Sequence, residues 1–201
     1  MRPEIPESVA LSLTSLTESE PATRDVAKRK QPTSVLRSLG RLLAFAGVSG
    51  LTAAVGALVN VQPKNRLWYR AIRKSTLTPP DRVFGIVWPA LYTMSAVSVW
   101  RTSNAPPSSA RSMALGLWGT QLAFNAAWTP IFFGAHRPRL ALADLAATAA
   151  SVAGYVRFAQ RVDRRAARLM WPYLGWLGFA AILNTAAVRR NRGLTRWLVN
   201  D

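Results

Sequence analysis

The chain has 201 residues, half of them hydrophobic and 17% charged, and its 26 Lys and Arg outweigh 9 Asp and Glu for a formal net charge of +17. The lack of cysteine excludes disulfides, Cys-ligated zinc, iron–sulfur clusters and thiol catalysis, and a single histidine leaves no room for a His-based metal site or a Ser-His-Asp triad. So basic a chain is either a nucleic-acid binder or a membrane protein with cationic loops, and the placement of the charges decides between them.

Residues 1–37, rich in Ser, Thr, Pro and Glu, read as a disordered tail. Within it, residues 1–25 carry Arg2 and Arg24 against Glu4, Glu7, Glu18, Glu20 and Asp25, a charge of −3, so the rest of the chain is +20. Lys28, Arg29 and Lys30, with Arg37 and Arg41, are placed to anchor a first span at a headgroup surface. Uncharged runs follow at Leu42–Val61, Val83–Trp100, Ser112–Ala135 and Leu169–Val188, of 20, 18, 24 and 20 residues. A fifth, Leu140–Val156, is interrupted only by Asp144. A helix needs about 20 predominantly apolar residues to cross a bilayer. A nucleic-acid binder would instead set its basic residues along a face of an element, beside buried apolar positions. The runs show no alternation and are too long for membrane strands, so the expected fold is all-α, a multi-pass integral membrane bundle of five helices over residues 38–192, with a short tail at 193–201.

The connection between the first two spans, Gln62–Arg82, is the longest, and a structureless loop of that length reads as a lid or as disorder. Lys64, Arg66, Arg70, Arg73 and Lys74 give it a charge of +5 with no acid up to Pro80. Those cations suit anionic headgroups or an anionic ligand equally well. Pro79-Pro80 marks the start of the second span, because proline lacks only an N–H that the first helical turn leaves unpaired. Loop Lys and Arg number 11 on the side of the N-terminus and 12 on the other, so the positive-inside rule does not orient the chain.

Of eight tryptophans, Trp68, Trp100, Trp171 and Trp197 fall at expected membrane boundaries, where indoles concentrate. Trp88 and Trp176 lie deeper. Phe84, Trp88 and Tyr92 share one face of span 2; Gln121, Asn125 and Trp128 share one of span 3; Trp176, Ala180 and Asn184 share one of span 5. Two readings fit these stripes: helix packing with amides bonded between helices, or an aromatic cavity for a large flat apolar ligand. Asp144 is either a functional intramembrane carboxylate or, the more ordinary reading, a cap or partner for a loop arginine. Gly119, Ala123 and Ala127 form a small-residue stripe that lets helices approach closely, and we expect it to form a homodimer face.

Several motifs then become specific. They are Trp68-Tyr69, Thr78-Pro79-Pro80, Val87-Trp88 with Leu91-Tyr92, the run Gln121–Gly134, Leu140–Asp144, and Pro172-Tyr173-Leu174-Gly175-Trp176. Together they resemble the tryptophan-rich sensory protein/translocator protein (TspO/MBR) family across about residues 40–192. The resemblance implies a five-helix membrane bundle, often dimeric, that binds porphyrins, sterols and benzodiazepine-type ligands. It carries no obligatory cofactor and no metal, and it has the bilayer rather than nucleic acid as its surroundings. Family ligand contacts match Tyr69, Phe84, Trp88, Tyr92, Asn125, Trp128, Trp176 and Ala180. Two pocket tryptophans of light-dependent porphyrin-degrading members match Trp88 and Trp176. The chain departs from the family at Ser75, where a proline follows the lid lysine, at Leu77 in place of an aromatic residue, and at Ile182, where the sterol motif has a tyrosine. Val152, Tyr155 and Arg157 fit a loose cholesterol pattern. The expected function is porphyrin or similar apolar-ligand binding with a sensory or regulatory role. A transporter and a light-dependent porphyrin-degrading catalyst are the alternatives, with Arg70, Arg73 and Lys74 as candidate lid cations.

Overall fold

The computed structural model describes residues 32–191, so the expected tails, apart from residues 32–37, lie outside the described residues, as does Trp197. The chain divides into a unit ending at Leu39, of which only the opening of the first helix is described, and a unit from Gly40 onward that holds the bundle. Helices follow in the order α1 (Pro32–Asn60), α2 (Pro63–Ala71), α3 (Asp81–Asn104), α4 (Ser109–Thr129), α5 (Pro138–Ala159), α6 (Arg164–Leu169) and α7 (Trp171–Arg190). A π turn, Pro130–Gly134, extends α4. The five long helices follow the order of the five expected spans. By length and composition α1, α3 and the α6–α7 segment each suffice to cross a membrane. The remaining two, α4 with its π turn and α5, run 21 plus 5 and 22 residues.

Prolines punctuate the bundle where their missing N–H costs least. They open α2, α5 and α7 within the first two positions. Pro130 cannot donate to Ala126, and the chain passes into a wider turn closed by the Ala135 N–H on the Pro130 carbonyl at 2.8 Å.

Helices α4 and α5 pack closely at Gly154, where a Cβ would stand 3.0 Å from Leu117 Cδ1. Phe45 of α1 meets Trp118 of α4 edge-on at 5.1 Å. Most of α1 faces outward, with Leu43 71% and Leu51 69% exposed, as a lipid-facing helix requires. Interhelical polar contacts hold the interior, as expected where lipid supplies no hydrophobic drive between helices. Trp118 Nε1 donates to Ser95 Oγ at 3.0 Å. Ser98 Oγ gives its proton to the Ala166 carbonyl at 2.7 Å, which leaves the Tyr155 hydroxyl to donate to Ser98, also at 2.7 Å. Val152 and Tyr155 are fully buried. The loose cholesterol pattern they share with Arg157 therefore cannot present both to a sterol at the surface.

Two further expectations are corrected. The Gln62–Arg82 connection is not structureless, since α2 occupies its first half. Asp144 neither caps nor pairs with an arginine. It lies beyond the first turn of α5, outside cap reach, and its Oδ2 is buried without a hydrogen-bond partner. The one ion pair among the described residues joins Arg101 to Asp163 at 2.8 Å. Asp163 also caps α6 by accepting from the Arg165 and Ala166 N–H groups. Burial opposes its charge, but those two bonds and Arg101 outweigh it and hold the carboxyl below its ordinary range.

Candidate ligand-binding site

The stripes seen in the sequence meet where α3 and α7 approach. Phe84, Trp88 and Tyr92 stand at helical spacing on α3, and Trp176 receives the first two. Phe84 lies edge-on to Trp176 at 5.6 Å, and Trp88 lies edge-on to it at 6.4 Å with an interplanar angle of 89°. Trp88 also tilts onto Tyr92 at 5.6 Å and meets Tyr173 edge-on at 6.2 Å. Ala180, one turn beyond Trp176, packs against the same core. Tyr173 is 1% exposed and was not among the residues expected from sequence. Its place one turn before Trp176 on the same helix face was the available signal.

Asn125 of α4 holds this cluster together. It accepts a hydrogen bond from the Tyr92 hydroxyl and donates through Nδ2 to the Tyr173 hydroxyl at 2.6 Å. Its amide is thus engaged by the protein rather than offered to a ligand. Asn184 bonds between helices once its amide is oriented to donate to the Pro138 carbonyl at 3.0 Å. By contrast, Trp128 Nε1, Trp176 Nε1 and both polar atoms of the Gln121 amide are buried without a partner.

A second cluster forms under α2. Trp68 stacks on His136 at 4.6 Å and 21° and meets Phe132 edge-on, so it is a packing residue rather than only a boundary indole. Tyr69 meets Phe133 edge-on at 5.2 Å and carries the Lys74 ammonium 3.9 Å above its ring. Burial and then the Asp81 charge push the Tyr69 phenol up from its ordinary value. His136 adopts a left-handed φ of 55°, and burial followed by the Lys64 ammonium lowers its pKa. Trp128 stacks on Phe132 at 4.9 Å and packs against both clusters. Tyr69 therefore falls in this second cluster and not beside Trp88 and Trp176. Arg70 and Arg73 are exposed, and Lys74 is half-buried.

The middle of the lid, just beyond α2, is fastened to the end of α7. Asn191 accepts from the Arg73 N–H at 2.9 Å and donates to the Arg73 carbonyl at 3.0 Å, while Arg190 donates to the Lys74 carbonyl. Sequence reading missed this clasp, because nothing local relates Asn191 to a segment 118 residues earlier. Replacing Asn191 by Ala should leave the helices intact and speed amide exchange at Arg73 by about an order of magnitude, the loss of roughly 1 kcal/mol per bond. An unchanged rate at Arg73 would mean the clasp does not hold the lid.

An open apolar groove of about 600 Å³ runs along the junction of α3 and α7. Ile86, Ala90 and Met94 line it from α3, and Gly175, Trp176 and Phe179 from α7. Of the residues expected at the site, only Trp176 borders it. Its volume lies within the range of small-molecule sites, about 300–1,000 Å³. Among the described residues no group of three or more His, Asp or Glu could hold a metal ion.

Five long helices, three of them long and apolar enough to cross a membrane, with a half-buried aromatic cluster among them, mark an all-α, multi-pass integral membrane protein. The chain belongs to the TspO/MBR family, whose model matches residues 43–190. It is 41% identical over 134 residues to the human (Homo sapiens) translocator protein, an alignment covering 63% of this chain and 76% of that relative. Over 137 residues it is 37% identical to the translocator protein of Sus scrofa, covering 67% and 80%. The tryptophan-rich sensory protein of Cereibacter sphaeroides is 35% identical over 149 residues, covering 74% and 90%.

Proposed function

We propose that the chain binds a large, flat, mainly apolar ligand of the tetrapyrrole class against Trp88 and Trp176, and that binding serves a sensory or regulatory role. The observation that carries this reading is the position of Trp176. One side of it borders the open apolar groove, while Trp88 and Phe84 pack against it from α3. An aromatic wall beside an open apolar groove suits a planar, mainly apolar ring system. The names of the relatives, a translocator protein and a tryptophan-rich sensory protein, agree with a membrane protein that receives a ligand. Titrating the purified protein with protoporphyrin IX should quench tryptophan fluorescence saturably. Quenching that does not saturate would remove the proposal. Loss of pigment on illumination would assign a photochemical role to the same two tryptophans, and porphyrin flux in proteoliposomes would assign transport.

In this reading the lid cations meet the acidic groups of the ligand. Arg70 and Arg73 are exposed, and the ammonium of Lys74 is held over Tyr69. Neutralising Arg70, Arg73 and Lys74 together should weaken protoporphyrin binding about tenfold and binding of its dimethyl ester far less, since exposed charge pairs are each worth about 0.2–1 kcal/mol. Salt should act on the free acid alone. Equal losses for acid and ester would leave these residues as headgroup anchors.

The proposed homodimer uses α4. Gly119 and Ala123 are exposed on it, and a Cβ at Gly119 would meet nothing within 4 Å. Ala123→Leu should convert a detergent-solubilised dimer to monomer in light scattering, because side-chain bulk on such a stripe separates the backbones. A dimer that persists in this variant places the interface elsewhere.

A further inference from the structure

At the end of the bundle where α3 stops and α4 starts, two arginines from different helices converge on a single oxygen. Arg41 of α1 donates through Nη1 to the Ser103 carbonyl at 3.0 Å, and Arg111 of α4 donates through Nη2 to the same atom at 2.9 Å. The two guanidinium nitrogens therefore stand within about 6 Å of each other, where like charges repel unless something between them is negative.

The described residues supply little there that is negative. Ser103 lies in the last turn of α3, whose carbonyls carry a partial negative charge of about half a unit. Arg111 lies in the first turn of α4, where the dipole has the opposite sign and disfavours a cation. No acid precedes it in that turn, and Ser108 provides the cap by accepting from the Arg111 N–H at 3.2 Å. Beyond residue 25 the acids are Asp81, Asp144, Asp163 and Asp201. Asp81 opens α3 at its other end, and Asp144 lies in the half of α5 that follows the far end of α4. Asp163 is occupied by Arg101. The Nε of Arg111 is buried and has no hydrogen-bond partner, so a charged donor is withdrawn from water and left unused.

We infer that Arg41 and Arg111 form a clamp for a phosphate group, presented by an anionic phospholipid at the α1–α3–α4 corner. The planar forks of two guanidiniums match the several oxygens of a phosphate, and charge-assisted bonds of this kind are the strong ones. A lipid is the source because the site lies at the ends of three membrane-length helices, immediately before the uncharged run that starts at Leu42. This inference is independent of the ligand assigned to Trp88 and Trp176.

Native mass spectrometry of the full chain in detergent, titrated with phosphatidylglycerol or phosphatidylcholine, tests it. Wild type should retain phosphatidylglycerol at least about tenfold more tightly, the ratio that one charged hydrogen bond provides. Arg41→Gln/Arg111→Gln should abolish the preference, whereas Arg157→Gln/Arg168→Gln, which removes the same charge from exposed positions, should keep it. The single variant Arg41→Gln, at an exposed position, should lose several-fold if the double variant does not fold. Equal retention of the two lipids by wild type overturns the clamp. So does an equal loss in the Arg157/Arg168 control, which would mean diffuse surface attraction. Displacement of the lipid by millimolar inorganic phosphate overturns the lipid as its source.

Discussion

Trp88→Phe and Trp176→Phe should each weaken protoporphyrin quenching about two- to tenfold, and the double variant should lose more than either, while far-UV circular dichroism stays that of the wild type. The magnitude follows from aromatic pairs, worth about 0.5–1.5 kcal/mol beyond area burial. Phenylalanine is the right replacement because Trp176 also supports Phe84, Trp88 and Phe179, the last at 5.4 Å. Alanine would open a cavity and confuse packing with binding. The two single variants also separate the parts of the site. Trp176 borders the groove and Trp88 does not, so the larger loss is expected at Trp176. A double variant that binds as wild type does would remove the site assignment altogether.

Asn125→Leu is expected to cost the most stability of any single change near the site. It leaves the hydroxyls of Tyr92 and Tyr173 without their shared partner. An unsatisfied buried polar group costs about 1–3 kcal/mol in proteins generally, whereas measured bonds between membrane helices average about 0.6 kcal/mol. Tyr173 is 1% exposed and cannot turn to water, so the upper scale governs it, and a total near 2 kcal/mol is expected. Adding Tyr92→Phe and Tyr173→Phe to Asn125→Leu should restore most of the loss, because replacing all the partners leaves nothing unpaired. Thermal unfolding in one detergent would measure the cycle. A triple variant no more stable than Asn125→Leu would show that Asn125 acts by shape rather than by bonding.

The Asn125 arrangement also shows why sequence can find a polar residue and miss its role. Its spacing with Gln121 and Trp128 placed it on an inward stripe, as a packing amide or as a ligand contact, and family resemblance favoured the second. Which partners it takes depends on the relative rotation and depth of three helices. Rigid-body quantities of that kind leave no local trace in composition or periodicity.

The sequence by itself determined the solvent of this protein and the number and order of its long helices. Those follow from uncharged stretches matched to bilayer thickness and from the need to pair every backbone group within a segment. Proline placement was equally legible, since a missing N–H is a local property and α3 starts directly after Pro79-Pro80. Tertiary structure alone decided how the expected site residues divide. It gave Phe84, Trp88, Tyr92, Asn125 and Trp176 a common cluster and sent Tyr69 to another one beneath α2. It also decided the clasp between Asn191 and Arg73, the isolation of Asp144, and the meeting of Arg41 with Arg111 on one carbonyl. Each joins residues far apart in the chain or, for Asp144, turns on a partner that never arrives. Such contacts depend on helix rotation and end-to-end register, which apolar runs of similar length leave almost wholly free.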